Sequence, residues 1–329
     1  MKQLFFSYLK GDEIPPLAIA PTSVATAESC FLLGFPFNET HLCAEKMAAL
    51  AAFCAERLGF CSVMPYFGVV QEAAAFGADI NWGSGSSMPS IRGHVFGSPD
   101  TVKIPENFLD RPPVKTILDS IKILKKIFAG EKLIIGKVMG PWTLSLHLTG
   151  MENFLVSTIE DPEAACHCLD MFLKVTVLFA EAQFEAGADA VTLADHATRD
   201  LVSPQTYKDL LMPRHKKING KFFDGAFILH CCGSTTDRME AFCEAGFKVF
   251  HFDSVNDVGE AIKKAGDMKL TGCVNNIDVL LNGTEYDVEN QVRGLVGSGI
   301  KLISPECAVP LAVKNKMLKK LTDTVKLTF

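Results

Sequence analysis

His230 and Cys232 stand two apart in Leu229-His230-Cys231-Cys232-Gly233, near one end of an apolar run. In extended backbone, residues i and i+2 project to the same side, so an imidazole and a thiol there can chelate one ion. A second thiol lies at Cys307, within Ser304-Pro305-Glu306-Cys307, and a carboxylate at Asp253 closes Phe252-Asp253. Thiolates with an imidazole select zinc, and three protein ligands plus an exchangeable fourth position is the pattern of a catalytic zinc site. The competing reading is that His230, Cys232 and Cys307 are unrelated core or rim residues, because His-x-Cys also arises by chance.

Other residues carry weaker chemistry. Asp195-His196, followed by Arg199-Asp200, places an acid, an imidazole and a cation on one loop. Two readings stand: an acid–base pair, or an Asp195 that orients loop backbone beside a satisfied His196. Glu72, in Gln71-Glu72-Ala73, has the same ambiguity. Asn275 and Asn276 offer amides that orient a polar ligand or simply turn the chain. Cys166-His167-Cys168 lies in a helical stretch where i and i+2 diverge, so it reads as packing and not as a ligand cluster. Cys231 should face away from Cys232, and burial is the expectation for Cys30, Cys43, Cys54, Cys61 and Cys243; Cys273, near the end of the seventh run, reads first as packing and second as lining the mouth.

Strands must bring these groups together. Eight short apolar runs, at 16–21, 61–67, 132–139, 188–195, 226–232, 248–253, 269–274 and 301–304, are mostly bounded by Gly or Pro. Such runs suit a parallel sheet buried on both faces. Between them lie helix signals: Asp161 as N-cap with Pro162 at the first helical position and a long apolar-periodic run ending at Gly187, then Ser203-Pro204 opening another. Eight strand–helix units predict a single-domain (β/α)8 TIM barrel over residues 1–329, with an N-terminal extension and a long Gly-, Ser- and Pro-rich loop excursion near 77–112. In that architecture the active site sits at the C-terminal strand ends, where 230, 232, 253 and 307 all fall.

Composition bounds the rest. A chain of 329 residues, 48% hydrophobic and 21% charged, is too apolar to be disordered. Its net charge of -6 works against nucleic acid and anionic lipid as partners. No run approaches the ~20 apolar residues of a membrane span, and the stretch 1–9 is too short for a signal-peptide core, so the expectation is a cytoplasmic protein with no membrane attachment. Eleven cysteines scattered through a long core-forming sequence do not read as a disulfide framework. The basic stretch 314–326 reads as the wet face of a last helix.

The strings ILHCCGST at 228–235, SPECAVP at 304–310, ADHATRDLVSPQTY at 194–207 and Ala20-Pro21-Thr22-Ser23 resemble the uroporphyrinogen decarboxylase superfamily, and more narrowly its corrinoid-dependent methyltransferase branch, typified by methylcobalamin:coenzyme M methyltransferases. The resemblance covers nearly the whole chain. It implies a (β/α)8 barrel that binds Zn2+ through His230, Cys232 and Cys307, with Asp253 about where the family has an acidic residue able to close the coordination sphere. The implied reaction is attack of a zinc-bound thiolate, of coenzyme M or another thiol, on the methyl group of methylcobalamin or another methylcorrinoid. A separate methylated corrinoid protein is the implied partner. The decarboxylases of the superfamily carry an arginine-rich N-terminal segment for an acidic porphyrinogen, whereas IAPTSVATAESC at 19–30 has no arginine. That argues against a uroporphyrinogen-type decarboxylase using Asp195, which remains the alternative together with a non-catalytic corrinoid-binding protein. This chain also has Pro305-Glu306-Cys307-Ala308 where the methanogen enzymes resemble Pro-Gly-Cys-Gly.

Overall fold

The computed structural model describes residues 1–65, 68–85, 87–128 and 130–328. Among the described residues, eight strands form the barrel, in chain order: β1 (Leu17–Ala18), β2 (Ser62–Val63), β3 (Leu133–Met139), β4 (Ala190–Ala194), β5 (Phe227–Cys231), β6 (Val249–Phe252), β7 (Lys269–Val274) and β8 (Leu302–Pro305). Each pairs in parallel with its neighbours, in the order β1-β8-β7-β6-β5-β4-β3-β2. The Cys61 N–H donates to the Ala18 carbonyl at 2.7 Å and the Ala20 N–H to Ser62 Oγ at 2.7 Å, joining β1 to β2 and closing the ring. The fold is the (β/α)8 barrel that the eight runs predict. The run at 61–67 shortens to Ser62–Val63, and its last two positions, 66 and 67, lie outside the described residues.

The period of two along the strands divides the core. Leu133, Ile135, Ala190, Ile228, Val249 and Leu302 pack inside the barrel, while Ile134, Val191, Phe227, Leu229, Phe250 and Ile303 join the shell under the helices. Continuing the inward parity toward the C-terminal ends gives Lys137, Thr192, His230, His251, Thr271 and Ser304, every one buried. The interior therefore turns from an apolar floor to a polar layer below the mouth. The N-terminal helix Lys2–Leu9 adds Phe5 to the floor cluster, and Lys2 ties it to the buried Asp189 at 2.9 Å.

Helix boundaries follow the local chemistry. Asp161 accepts from the Ala164 N–H at 3.1 Å and Pro162 opens Pro162–Ala186, which stops at Gly187 in left-handed backbone (φ +116). Ser203 caps the turn that Pro204 opens. Within 77–112 the chain forms an antiparallel hairpin, Asp79–Asn81 with Ser90–Arg92, and two short turns, Pro99–Thr101 and Phe108–Asp110. The closing helix Asn315–Leu327 buries Met317, Leu318, Leu321 and Val325, and turns Lys316 and Lys320 to Glu285 and Glu289. Among the described residues no helix is long and apolar enough to cross a membrane.

Candidate metal centre

β5 and β8 are separated by two strands, yet their C-terminal ends meet over the mouth. His230 Nε2 lies 3.0 Å from Cys232 Sγ, the two sulfurs of Cys232 and Cys307 are 3.2 Å apart, and Cys307 Sγ is 3.6 Å from His230 Nε2. Each separation is shorter than twice a ~2.0–2.3 Å zinc bond, so one ion can reach all three donors without rearrangement of the strands. The donor set, one imidazole and two thiols, fits zinc. Cys231 joins the outer shell, so the alternation that aims Cys232 inward turns its neighbour away.

Without a cation the two thiols share protons unequally. Hydrogen bonds from Cys232 and then from His230 hold Cys307 well below the ordinary thiol range, while the bond it donates to Cys307, together with burial, pushes Cys232 up. The first ionisation of the pair is thus eased and the second opposed until positive charge arrives.

Several residues shape this centre. His251, beside His230 in the sheet, donates from Nε2 to the Pro305 carbonyl at 2.8 Å, and its ring centroid lies 4.6 Å from that of His230. Burial lowers its pKa to about 3, so it is neutral with its proton on Nε2. Glu306 accepts the Asn276 N–H at 2.7 Å and the Ser254 N–H at 3.1 Å, binding the loops after β6, β7 and β8 into one rim around Cys307. Lys137, inward on β3, is buried, and its charge interacts with Glu72 and with the thiols of Cys307 and Cys232. Burial lowers its pKa and raises that of Glu72 to about 8.

The other residues singled out in the sequence take definite places. Asp253 accepts from the Gly233 N–H at 2.9 Å through Oδ2 and from the Val255 N–H at 3.0 Å through Oδ1, so both oxygens hold loop backbone. Asp195 accepts from the Thr143 N–H at 2.8 Å, at the N-terminus of the helix Pro141–Thr149, and from His215 Nε2 at 3.0 Å. Tyr207 OH in turn meets His215 Nδ1 at 3.0 Å. Of its two readings, the geometry favours for Asp195 the one that orients backbone. Its neighbour His196 instead turns toward the thiols: ligand atoms of His196, His230 and Cys232 all lie within 4.8 Å of one another. Burial lowers the His196 pKa to about 4, which leaves the imidazole neutral with a free lone pair.

Glu72 accepts the Met139 N–H at 2.8 Å through Oε1, while Oε2 is buried with no hydrogen-bond partner among the described residues. Asn275 Oδ1 accepts from the Ile277 and Asp278 N–H groups at 2.9 and 2.6 Å, the turn-making choice of its two readings. Asn276 donates to the Ala308 carbonyl at 3.0 Å and holds the loop that carries Cys307. Cys168 is buried against Ser145 while Cys166 is half-buried one helical face away, as the packing reading requires. The burial expectation holds for Cys30, Cys54 and Cys273 but not for Cys43, Cys61 and Cys243, which are half-exposed where their elements meet solvent.

Lys137, His251 and Gln183 were not singled out by spacing. A lysine inside the apolar run Leu133–Met139 is the signal for the first, since lysine is almost never fully buried without a partner. Gln183 accepts the Lys137 N–H at 2.9 Å and donates to the Lys137 carbonyl at 2.8 Å, fixing that lysine from the long helix behind β3.

Residues 1–327 match the uroporphyrinogen decarboxylase (URO-D) family, and the chain belongs to it. A methylcobamide:CoM methyltransferase of Methanosarcina acetivorans is 30% identical over 319 residues, covering 96% of this chain and 93% of that protein. A methylated-thiol–coenzyme M methyltransferase of Methanosarcina mazei is 28% identical over 96% of this chain and 86% of its own. Among solved structures, a methyltransferase from Methanosarcina mazei matches with a TM-score of 0.94 at 25% identity, covering 99% of this chain and 98% of that one.

Proposed function

We propose that this chain is a zinc-dependent methyltransferase that moves a methyl group from a methylated corrinoid, methylcobalamin or a methyl-corrinoid protein, to a thiol acceptor such as coenzyme M. The observation that carries the reading is the convergence of His230, Cys232 and Cys307 from non-adjacent strands within 3.6 Å of one another. The names of the similar proteins support the same donor and acceptor. The absence of arginine from 19–30 weighs against an acidic tetrapyrrole substrate.

Zinc held there would supply the charge that keeps a bound thiol deprotonated near neutral pH, where a free alkyl thiol is mostly protonated. The protein's own residues do the rest. His230, Cys232 and Cys307 hold the ion, and their two thiolates bring its charge near neutral, which preserves the nucleophilicity of an acceptor sulfur. Lys137 offsets the thiolate charge from below, beside a Glu72 that burial keeps protonated up to about pH 8. Glu306 and His251 fix the β8 loop, so Cys307 faces Cys232 instead of solvent. The corrinoid approaches over the open mouth, delivered by a separate corrinoid protein. All eleven cysteines are free thiols, which suits the reducing cytoplasm.

Elemental analysis followed by a screen of thiols for methylcobalamin demethylation tests the reading. Cys232→Ala and Cys307→Ala should lose zinc and methyl transfer together, each by more than about tenfold. Full activity after complete removal of metal by a chelator would reject it.

A further inference from the structure

We propose that His196 is the fourth protein donor of the metal centre, and that Asp253, the carboxylate suggested by the family resemblance, acts outside it by holding the turn after Cys232. The inference rests on the metal reading above and concerns which side chain completes the site.

Four observations carry it. First, ligand atoms of His196, His230 and Cys232 lie within 4.8 Å of one another, close enough for one small ion to gather them. Cys307 joins the centre through His230 and Cys232, to both of which its thiol is close. Second, His196 is set for the task by its backbone. Its N–H donates to Thr143 Oγ1 at 2.8 Å, and the preceding Asp195 is locked to the Thr143 N–H and His215. That anchoring holds the loop after β4 while the imidazole faces His230, their ring centroids 6.2 Å apart.

Third, Asp253 is not among the residues whose ligand atoms gather at His196, His230 and Cys232, and both of its oxygens are turned to loop backbone. Oδ2 takes the Gly233 N–H and Oδ1 the Val255 N–H. Gly233 has left-handed backbone (φ +80), and a side chain there would meet Thr198 Oγ1 at 2.6 Å. The Asp253 carboxylate takes up the amide of that turn, a bond that the Oδ1 of an asparagine can also accept. Fourth, the chemistry differs: two imidazoles and two thiolates leave a divalent ion neutral, whereas a carboxylate in place of one imidazole leaves it an anion.

The test uses the full-length protein, with its metal removed and replaced by zinc or by cobalt(II), whose visible d–d bands report coordination. Wild type should bind one ion with the spectrum of a four-coordinate, two-sulfur site. His196→Ala and His196→Gln should weaken zinc, measured by chelator competition, by about tenfold or more and shift the d–d bands. His196→Gly should regain the wild-type bands on addition of imidazole. Asp253→Asn should leave the bands in place. Unchanged affinity and bands in the His196 variants, or a band shift in Asp253→Asn in place of theirs, would overturn the inference while the three-ligand centre stands. Failure of the wild-type protein to take up a stoichiometric ion would overturn both.

Discussion

Replacing Asp195 separates the two roles its sequence position admits. Its carboxylate is fully buried and accepts the Thr143 N–H at 2.8 Å and His215 Nε2 at 3.0 Å, with a longer bond from the Trp142 N–H at 3.5 Å. Asp195→Ala leaves a helix N-terminal N–H and an imidazole N–H unpaired in the core, and strands the Tyr207–His215 pair behind them. Breaking a buried charged network by removing one partner costs about 3–5 kcal/mol. Asp195→Asn is milder. Its amide oxygen still accepts from Thr143, and His215 can move its proton to Nδ1, donate to Tyr207 and accept from the new amide. One charge-assisted bond becomes a neutral one, a loss of about 1–2 kcal/mol. Urea unfolding of both variants, with zinc content measured in parallel, gives the answer. The expected order is wild type, then Asn, then Ala, with zinc retained in the folded Asn variant. Stability unchanged within about 0.5 kcal/mol in both variants, with turnover lost, would show an acid–base catalyst instead of a brace.

Other perturbations test neighbouring parts of the account. Gly140→Ala puts a Cβ 2.1 Å from Asp195 Cγ, in a core with no room to yield, and should cost about 1–3 kcal/mol or more by thermal or urea unfolding. Glu72 has its folded pKa raised by burial from the usual 4.5 to about 8, so its contribution to stability is fullest below 4.5 and is lost as pH rises through 8. Glu72→Gln removes that component, and the stability of wild type relative to the variant should fall between about pH 5 and 8; a difference independent of pH would contradict the raised pKa.

The barrel was readable from the chain because its determinants are local. Short apolar runs bounded by Gly and Pro mark strands covered on both faces, and Asp161-Pro162 and Ser203-Pro204 mark helix starts by satisfying or omitting amide donors. The same period of two that makes β5 a strand sets His230 and Cys232 on one side and Cys231 on the other. That pair is a property of the sequence.

What the sequence does not contain is distance between remote segments. Cys307 lies 75 residues beyond Cys232, and only ring closure with two intervening strands brings their sulfurs to 3.2 Å. The partner choice of each polar side chain was undecided for the same reason. Asp195 and His196 are adjacent in sequence, yet one turns outward to a helix N-terminus and the other inward to the thiols. Asp253 faces backbone N–H groups that loop conformation, not spacing, presents to it. Backbone periodicity depends on nearest neighbours and can be counted along the chain. Hydrogen-bond and ligand partners depend on which atoms packing leaves within about 3 Å, and those exist only once the barrel has closed.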